Sequence, residues 1–278
     1  MPDSVAVLRV ELNRGICAVR ESIRKKGVLA AATLVTSTAA SQLAFPVIAA
    51  RRRDRRFTFQ GEQLPYTLHR YNCTYRNERT VEISIARWFL AAGRTGRMLE
   101  VGNVLAHYGV TGHTVVDKYE TVAGVLNQDI IGYTPDHPFD TVVAISTLEH
   151  IGWDDEPREP EKVLQAIDAV RCCVAPGGRL LVTLPIGYNP MLDDALRSGA
   201  VQMQRETWLV RENRSNDWRE TDRDEALGRE YGRPFRNANA LCIGTEHRRT
   251  AADDVDSRIS NGVNNDAGNV DGSSGRRA

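Results

Sequence analysis

Five polar side chains in the middle of this chain stand where a sheet-built site would use them. Glu100 and Asp117 each close an apolar run, Asp129 follows a third run, and Glu149 and His150 follow a fourth. A carboxylate ending a strand can accept hydrogen bonds from both vicinal hydroxyls of a ribose, and Asp117 is the candidate for that role. A carboxylate at Asp129 can accept from an adenine amino group. His150 is the candidate general base, because an imidazole changes charge near neutral pH, and Glu149 stands beside it to orient it or to carry charge. Gly102 follows the first run directly, and a residue without Cβ lets the backbone turn tightly and approach a ligand. Tyr188 and Asn189, in the loop PIGYNP, are candidate substrate contacts. So are Tyr71, Asn72 and Arg76, in a stretch dense in polar and aromatic groups.

These residues can meet only if the apolar runs are strands of one sheet. The runs are nearly continuous in apolar residues, as strands buried on both faces must be. They predict parallel strands at 98–101, 113–116, 122–126, 141–145 and 179–184, with ligands bound beyond their carboxyl ends. Apolar steps of three and four predict helices around them. Residues 78–90 would bury Val81, Ile85, Trp88 and Phe89. Residues 160–174 begin at Pro160, carry the stripe Val163, Leu164, Ile167 and Val170, and stop before Gly177 and Gly178. Residues 104–108 open a helix toward the crevice, residues 191–201 form another, and 204–212 and 238–244 are the last two strands.

The order and spacing of RMLEVGN, VVDKYE, NQDI, STLEHIGW and APGGRLLVTLP resemble the class I S-adenosylmethionine-dependent methyltransferases, over residues 78–245. The resemblance implies an α/β fold: a Rossmann-like, doubly wound, seven-stranded sheet, mostly parallel with an antiparallel last strand, and helices on both faces. It implies S-adenosyl-L-methionine as the cofactor, held by Glu100, Gly102, Asn103, Asp117, Asp129 and Ser146. It also implies methyl transfer to an oxygen or nitrogen of a small-molecule, sugar or lipid-linked acceptor, with His150 and Glu149 as the catalytic pair. The segment LEH at 148–150 is similar to the corresponding one in ubiquinone-pathway O-methyltransferases. Val104 and Ala106 stand where the family's cofactor turn has further glycines, and Ser146 stands where the ubiquinone-type enzymes carry another carboxylate, so no metal site is expected. Two rival readings use the same residues. A degenerate methyltransferase fold serving as a scaffold fits the depleted glycines, while a nicotinamide-dependent oxidoreductase shares the first turn and Asp117 but needs a GxGxxG pattern that is missing.

A chain of 278 residues suits one main domain with appendages: an arm at 1–56, the methyltransferase domain at 57–247 and a tail at 248–278. Leu8, Leu12, Ile16, Val19 and Ile23, with Arg9, Arg14, Arg20, Arg24, Lys25 and Lys26, predict a basic amphipathic helix over 5–26. Residues 27–50 carry no charge, and Arg51, Arg52, Arg53, Arg55 and Arg56 close the run. The uncharged run reads as a helix packed on the domain or a loosely ordered arm; peripheral membrane contact is the second reading, since basic amphipathic helices favour anionic surfaces, and a bilayer span or signal peptide the third. The tail is too poor in large apolar groups to offset ordering entropy and is predicted to be disordered. A formal net charge of +0 argues against nucleic acid as a partner. The 5 cysteines form an odd set with no CxxC pair, which argues against zinc or a disulfide framework and for a reducing, cytoplasmic setting.

Overall fold

The computed structural model describes residues 42–93 and 96–250. The expected helix at 5–26, most of the uncharged run 27–50 and the tail beyond residue 250 lie outside the described residues. Residues 42–52 form helix α1. Strands β1 (Arg56–Phe59) and β2 (Glu62–Pro65) then pair antiparallel through Gln60 and Gly61, whose φ values of 53° and 84° give the twist a two-residue hairpin needs. A short 3-10 turn, Tyr71–Arg76, leads into α2 (Arg79–Ala91). Val81, Ile85 and Phe89 are buried on α2 as the periodicity predicts, whereas Trp88 is only half-buried against the edge of Phe59.

The main sheet follows: β3 (Met98–Val101), β4 (Thr114–Val116), β5 (Val125–Leu126), β6 (Phe139–Ile145), β7 (Val174–Pro185), β8 (Arg205–Arg211), β9 (Trp218–Thr221) and β10 (Ala240–His247). Helices α3 (Lys162–Cys172), α4 (Pro190–Ser198) and α5 (Arg223–Leu227) fall between them. The strand order is β5-β4-β3-β6-β7-β10-β8-β9. Strands β5, β4, β3, β6 and β7 pair in parallel, while β10 is antiparallel to both β7 and β8.

The apolar runs are continuous because each strand feeds two cores. Val142 and Ala144 of β6 pack with α3 and α4, whereas Val143 and Ile145 pack with α2 and the hairpin. Three local differences from the sequence reading have simple causes. The chain adds an eighth strand, β9, by folding back at Asn213 and Asn216 onto β8. Pro176 and the positive φ of Gly177 stop helix geometry early, so β7 begins at Val174, with a register shift opposite Phe139 and Thr141. Gly109, at φ 82°, limits the helix expected at 104–108 to one 3-10 turn, Leu105–Tyr108.

Helix α1 is fastened to this body by charge. Arg52 Nη2 lies 3.0 Å from Asp217 Oδ1 and donates to the Asn216 carbonyl at 3.1 Å; Arg55 Nη1 reaches the same Asp217 oxygen at 2.9 Å. Asp217→Ala leaves the buried Arg52 guanidinium without its carboxylate. A loss of about 3 kcal/mol in unfolding free energy is expected from urea titration, and a variant as stable as wild type would show that this pair holds nothing.

Candidate active site

The carboxyl ends of β3, β4 and β6 open on a cavity of ≈ 300 Å³. Its wall includes Gly102, Asn103, Asp117, Asp129, Ser146, Thr147 and His150, with Tyr71, Asn72, Arg79 and Tyr108 at one end. Gly102 sits at φ 83°, and a Cβ there would stand 2.3 Å from Thr147 Oγ1, so only glycine lets the β3 turn close against the loop after β6. Glu100, fully buried, does not line the cavity. Its Oε1 accepts from the backbone of Val104 (2.8 Å) and Leu105 (2.7 Å), and its Oε2 lies 2.6 Å from His113 Nε2. One oxygen is therefore spent on the turn that presents Asn103 and the other on His113, ahead of β4. The Asn103 Oδ1 is buried with no hydrogen-bond partner among the described residues.

Asp117 accepts from Tyr119 N and Glu120 N, both at 2.8 Å, through Oδ1; Oδ2 takes part in neither bond. Asp129 caps the turn Ile130–Gly132 by accepting from Ile131 N at 3.1 Å, and its other oxygen lies 3.4 Å from Lys118 Nζ. Lys118 also donates to Asp155 Oδ2 at 2.9 Å, and the Tyr119 hydroxyl donates to Asp155 Oδ1. Lys118, Tyr119 and Asp155 thus close one rim of the cavity. The hydrogen bond to Asp155 pushes the Lys118 ammonium above its ordinary range.

At the other end, His150 Nδ1 lies 2.6 Å from Asp154 Oδ2, and the Tyr188 hydroxyl donates to the same oxygen at 2.8 Å. Donation from Nδ1 to that carboxylate leaves Nε2 as the proton-accepting nitrogen. Tyr188 meets His150 edge-on at 4.6 Å between centroids, and Tyr231 meets Tyr188 at 5.0 Å. Tyr188 supports the histidine and does not line the cavity. Glu149 is buried behind it, with Oε1 3.6 Å from His150 Nε2 and Oε2 without a partner among the described residues. Burial pushes the Glu149 carboxyl well above the usual range, against the pull of Arg79, and so favours its neutral form. The partner that fixes His150 is Asp154, one helical turn beyond it in the acidic run WDDEP, which the sequence reading did not single out.

Asn189 is fully buried as the N-cap of α4. It accepts from Met191 N (3.1 Å) and Leu192 N (3.4 Å) and donates to the Glu149 carbonyl (3.0 Å), away from the cavity. Tyr71 stacks on His107 at 4.1 Å and lines the cavity beside Asn72, whose φ is 52°. Arg76 lies behind that turn, where its carbonyl accepts from Arg211 Nη1 at 3.1 Å.

Beneath the Tyr71 end lies a buried ion pair that the apolar stripe of α2 does not single out. Glu82 Oε2 is 3.0 Å from Arg79 Nη1, and its Oε1 accepts from the hydroxyls of Thr183 (2.6 Å) and Ser146. The Ser146 side chain is thereby committed to Glu82. Arg79 and Tyr108 reach the cavity wall, and the Tyr108 hydroxyl is buried without a hydrogen-bond partner among the described residues. Glu82→Leu strands the guanidinium and two hydroxyls, and an unfolding free energy lower by about 3–5 kcal/mol is expected in urea titration. The Glu149 carboxyl gives a second expectation. Its proton is held in the folded state above the pH at which the unfolded chain releases it, so it costs stability as pH rises through that window. Glu149→Gln removes that slope, and its unfolding free energy should fall less than wild type between about pH 5 and pH 8. Parallel pH profiles would show that Glu149 is ionised in the fold.

No protein-family model and no curated protein matches the chain. Among solved structures it is similar to the N-methyltransferase NodS from Bradyrhizobium japonicum in complex with S-adenosyl-L-homocysteine, at 15% identity, covering 62% of this chain and 87% of that one, with a TM-score of 0.38. It is similar to a SAM-dependent methyltransferase from Archaeoglobus fulgidus, at 13% identity, 64% and 98% coverage and a TM-score of 0.40. It is also similar to the 1,6-didemethyltoxoflavin-N1-methyltransferase from Burkholderia thailandensis, at 13% identity, 69% and 98% coverage and a TM-score of 0.37. The chain's own strand order gives the fold: parallel β5-β4-β3-β6-β7, then a reversed β10 inserted between β7 and β8, is the Rossmann-like fold of the class I S-adenosylmethionine-dependent methyltransferases.

Proposed function

We propose that this chain is an S-adenosylmethionine-dependent methyltransferase acting on an oxygen or nitrogen of a small-molecule, sugar or lipid-linked acceptor. The observation that carries the reading is one cavity at the strand ends, walled by the Gly102 turn, by Asp117 and by the unpartnered, buried Oδ1 of Asn103. A buried amide oxygen without a donor costs about 1–3 kcal/mol, which a ligand donor at that point would offset. The residues present therefore fit the cofactor: Asp117 Oδ2 for a ribose hydroxyl, Asn103 for a donor of the amino-acid part, and Gly102 for close backbone approach.

When bound, that cofactor supplies an electrophilic methyl group on a sulfonium sulfur. The chain's own task is to hold the acceptor in line and to take its proton. His150 Nε2 accepts that proton, and Asp154 holds the imidazole in the required tautomer. Tyr188 fixes Asp154. Tyr71, Asn72, Arg79 and Tyr108 offer the acceptor two rings, an amide and a guanidinium edge.

Calorimetric titration of the full chain with S-adenosylmethionine tests this reading. Binding on the order of micromolar is expected, weakened about tenfold or more by Asp117→Ala. His150→Ala should leave cofactor affinity within about threefold of wild type and lower turnover about 10²–10⁴-fold on an oxygen acceptor. A folded protein that binds no S-adenosylmethionine would end the proposal, and binding without turnover on a broad acceptor panel would favour a scaffold.

A further inference from the structure

One apolar surface of the molecule is used neither by the core nor by the crevice. On α1 the inner side, with Ile48, Ala49 and Arg52, is buried or half-buried, whereas Leu43 and Val47 are 82% and 54% exposed on the outer side. Steps of four and three align Leu43, Val47 and Ala50 in one exposed stripe. Arg51 and Arg53 are exposed at the end of that stripe and Arg56 at the start of β1, with one exposed acid among them, Asp54, 3.3 Å from Arg53 Nε. Upstream in sequence, residues 27–41 carry no charge, and Arg24, Lys25 and Lys26 precede them. An uncharged stretch is thus bracketed by cations on both sides. No helix among the described residues is long and apolar enough to cross a membrane.

The other flank of α1 touches the acceptor end of the crevice. Gln42 Nε2 donates to the Arg70 carbonyl at 3.0 Å, Arg70 Nη1 donates to the Gln42 carbonyl at 3.1 Å, and Phe45 meets Tyr75 at 5.5 Å. The turn so held is the one that presents Tyr71 and Asn72 to the cavity.

We propose that the outer face of α1, with the arginine cluster at its end, docks on the surface of an anionic lipid bilayer and so sets the acceptor end of the crevice beside that surface. Charge decides the occupant. A second copy paired with its α1 parallel on this face would set arginines against Arg51 and Arg53, and the basic segment at 5–26 carries the same sign of charge. An anionic surface takes the apolar stripe of α1 and the arginines at its end together. Docking stands apart from the methyltransferase reading. The acceptor class it implies, a molecule carried in or on the bilayer, rests on that reading.

The test is co-sedimentation of the full chain with vesicles of phosphatidylcholine alone and of phosphatidylcholine with about 30 mol% phosphatidylglycerol. The anionic vesicles should bind wild type about tenfold or more tightly than the neutral ones. Leu43→Glu/Val47→Glu and Arg51→Glu/Arg56→Glu should each lose about tenfold in affinity, with circular dichroism and S-adenosylmethionine titration unchanged, since all four side chains are exposed. Wild-type binding by both double variants would overturn the proposal. So would a lipid-indifferent chain whose dimer, seen by light scattering, is dissociated by Leu43→Glu/Val47→Glu. Vesicle binding with no S-adenosylmethionine binding would remove the methyltransferase reading and leave the docking surface standing.

Discussion

A carboxylate with no access to water ties the crevice together. Glu82 is fully buried, and burying an ion costs several kcal/mol unless it is paired and hydrogen-bonded. Its donors come from separate elements: Arg79 on its own helix, Ser146 just past the end of β6, and Thr183 within β7. Arg79 then donates to the carbonyls of Ile145 (2.9 Å) and Ser146 (3.4 Å), groups that the strand end leaves without ladder partners. Ser146 has φ 39°, a conformation that persists only when its surroundings hold it. One charge therefore locks helix, strand end and neighbouring strand at the floor of the site.

The same economy explains why so many polar residues at strand ends do not face a ligand. A strand that stops abruptly exposes backbone N–H and C=O groups, and each buried one needs a partner. Glu100 Oε1 accepts two N–H groups of the turn after β3, Asn189 caps α4, and Asp117 gives one oxygen to the turn after β4. Only groups left over from this accounting can meet a ligand. By that criterion Asp117 Oδ2, Asn103 Oδ1 and the Tyr108 hydroxyl matter more than Glu100 or Asn189.

The legible and illegible parts of the sequence divide along the same line. Strands β3 and β6 are readable because both faces are buried and their apolar runs are continuous, and α3 because its stripe Val163, Ile167 and Val170 is buried, although the helix starts at Lys162, two residues past Pro160. The third strand shrank to Val125–Leu126 because Val122 and Gly124, the latter at φ 90°, form a turn. The β1–β2 hairpin and β9 are short and mixed in composition, so their pairing depends on neighbours supplied by the fold. In the site, acids at strand ends were visible, but which oxygen remains free is decided by local backbone geometry. Arg79 and Glu82, three apart on a helix, have the spacing of an ordinary surface pair, and their burial follows from what packs above them. Lys118 and Asp155 join loops far apart in the chain, a meeting that only the fold reveals.

The two ends of the crevice are built on different supports. The end with Gly102 and Asp117 stands on parallel strands whose register is fixed by two packed faces. The other end hangs on the turn Tyr71–Arg76, outside the sheet, where Asn72 and Cys73 both adopt positive φ. That turn is held by Asn77 donating to the Asn72 carbonyl (2.8 Å), Asn216 donating to the Asn77 carbonyl (2.7 Å) and Arg211 beneath Arg76. Asn216 also joins Arg52 of α1, so the clamp that shapes the Tyr71–Arg76 turn and the clamp that fastens α1 share a residue. A change in how α1 sits would be felt at Tyr71 and Asn72 before it reached Asp117. The Tyr71–Asn72 end of the crevice therefore depends on contacts that the sheet does not supply, while the Gly102–Asp117 end rests on the strands themselves.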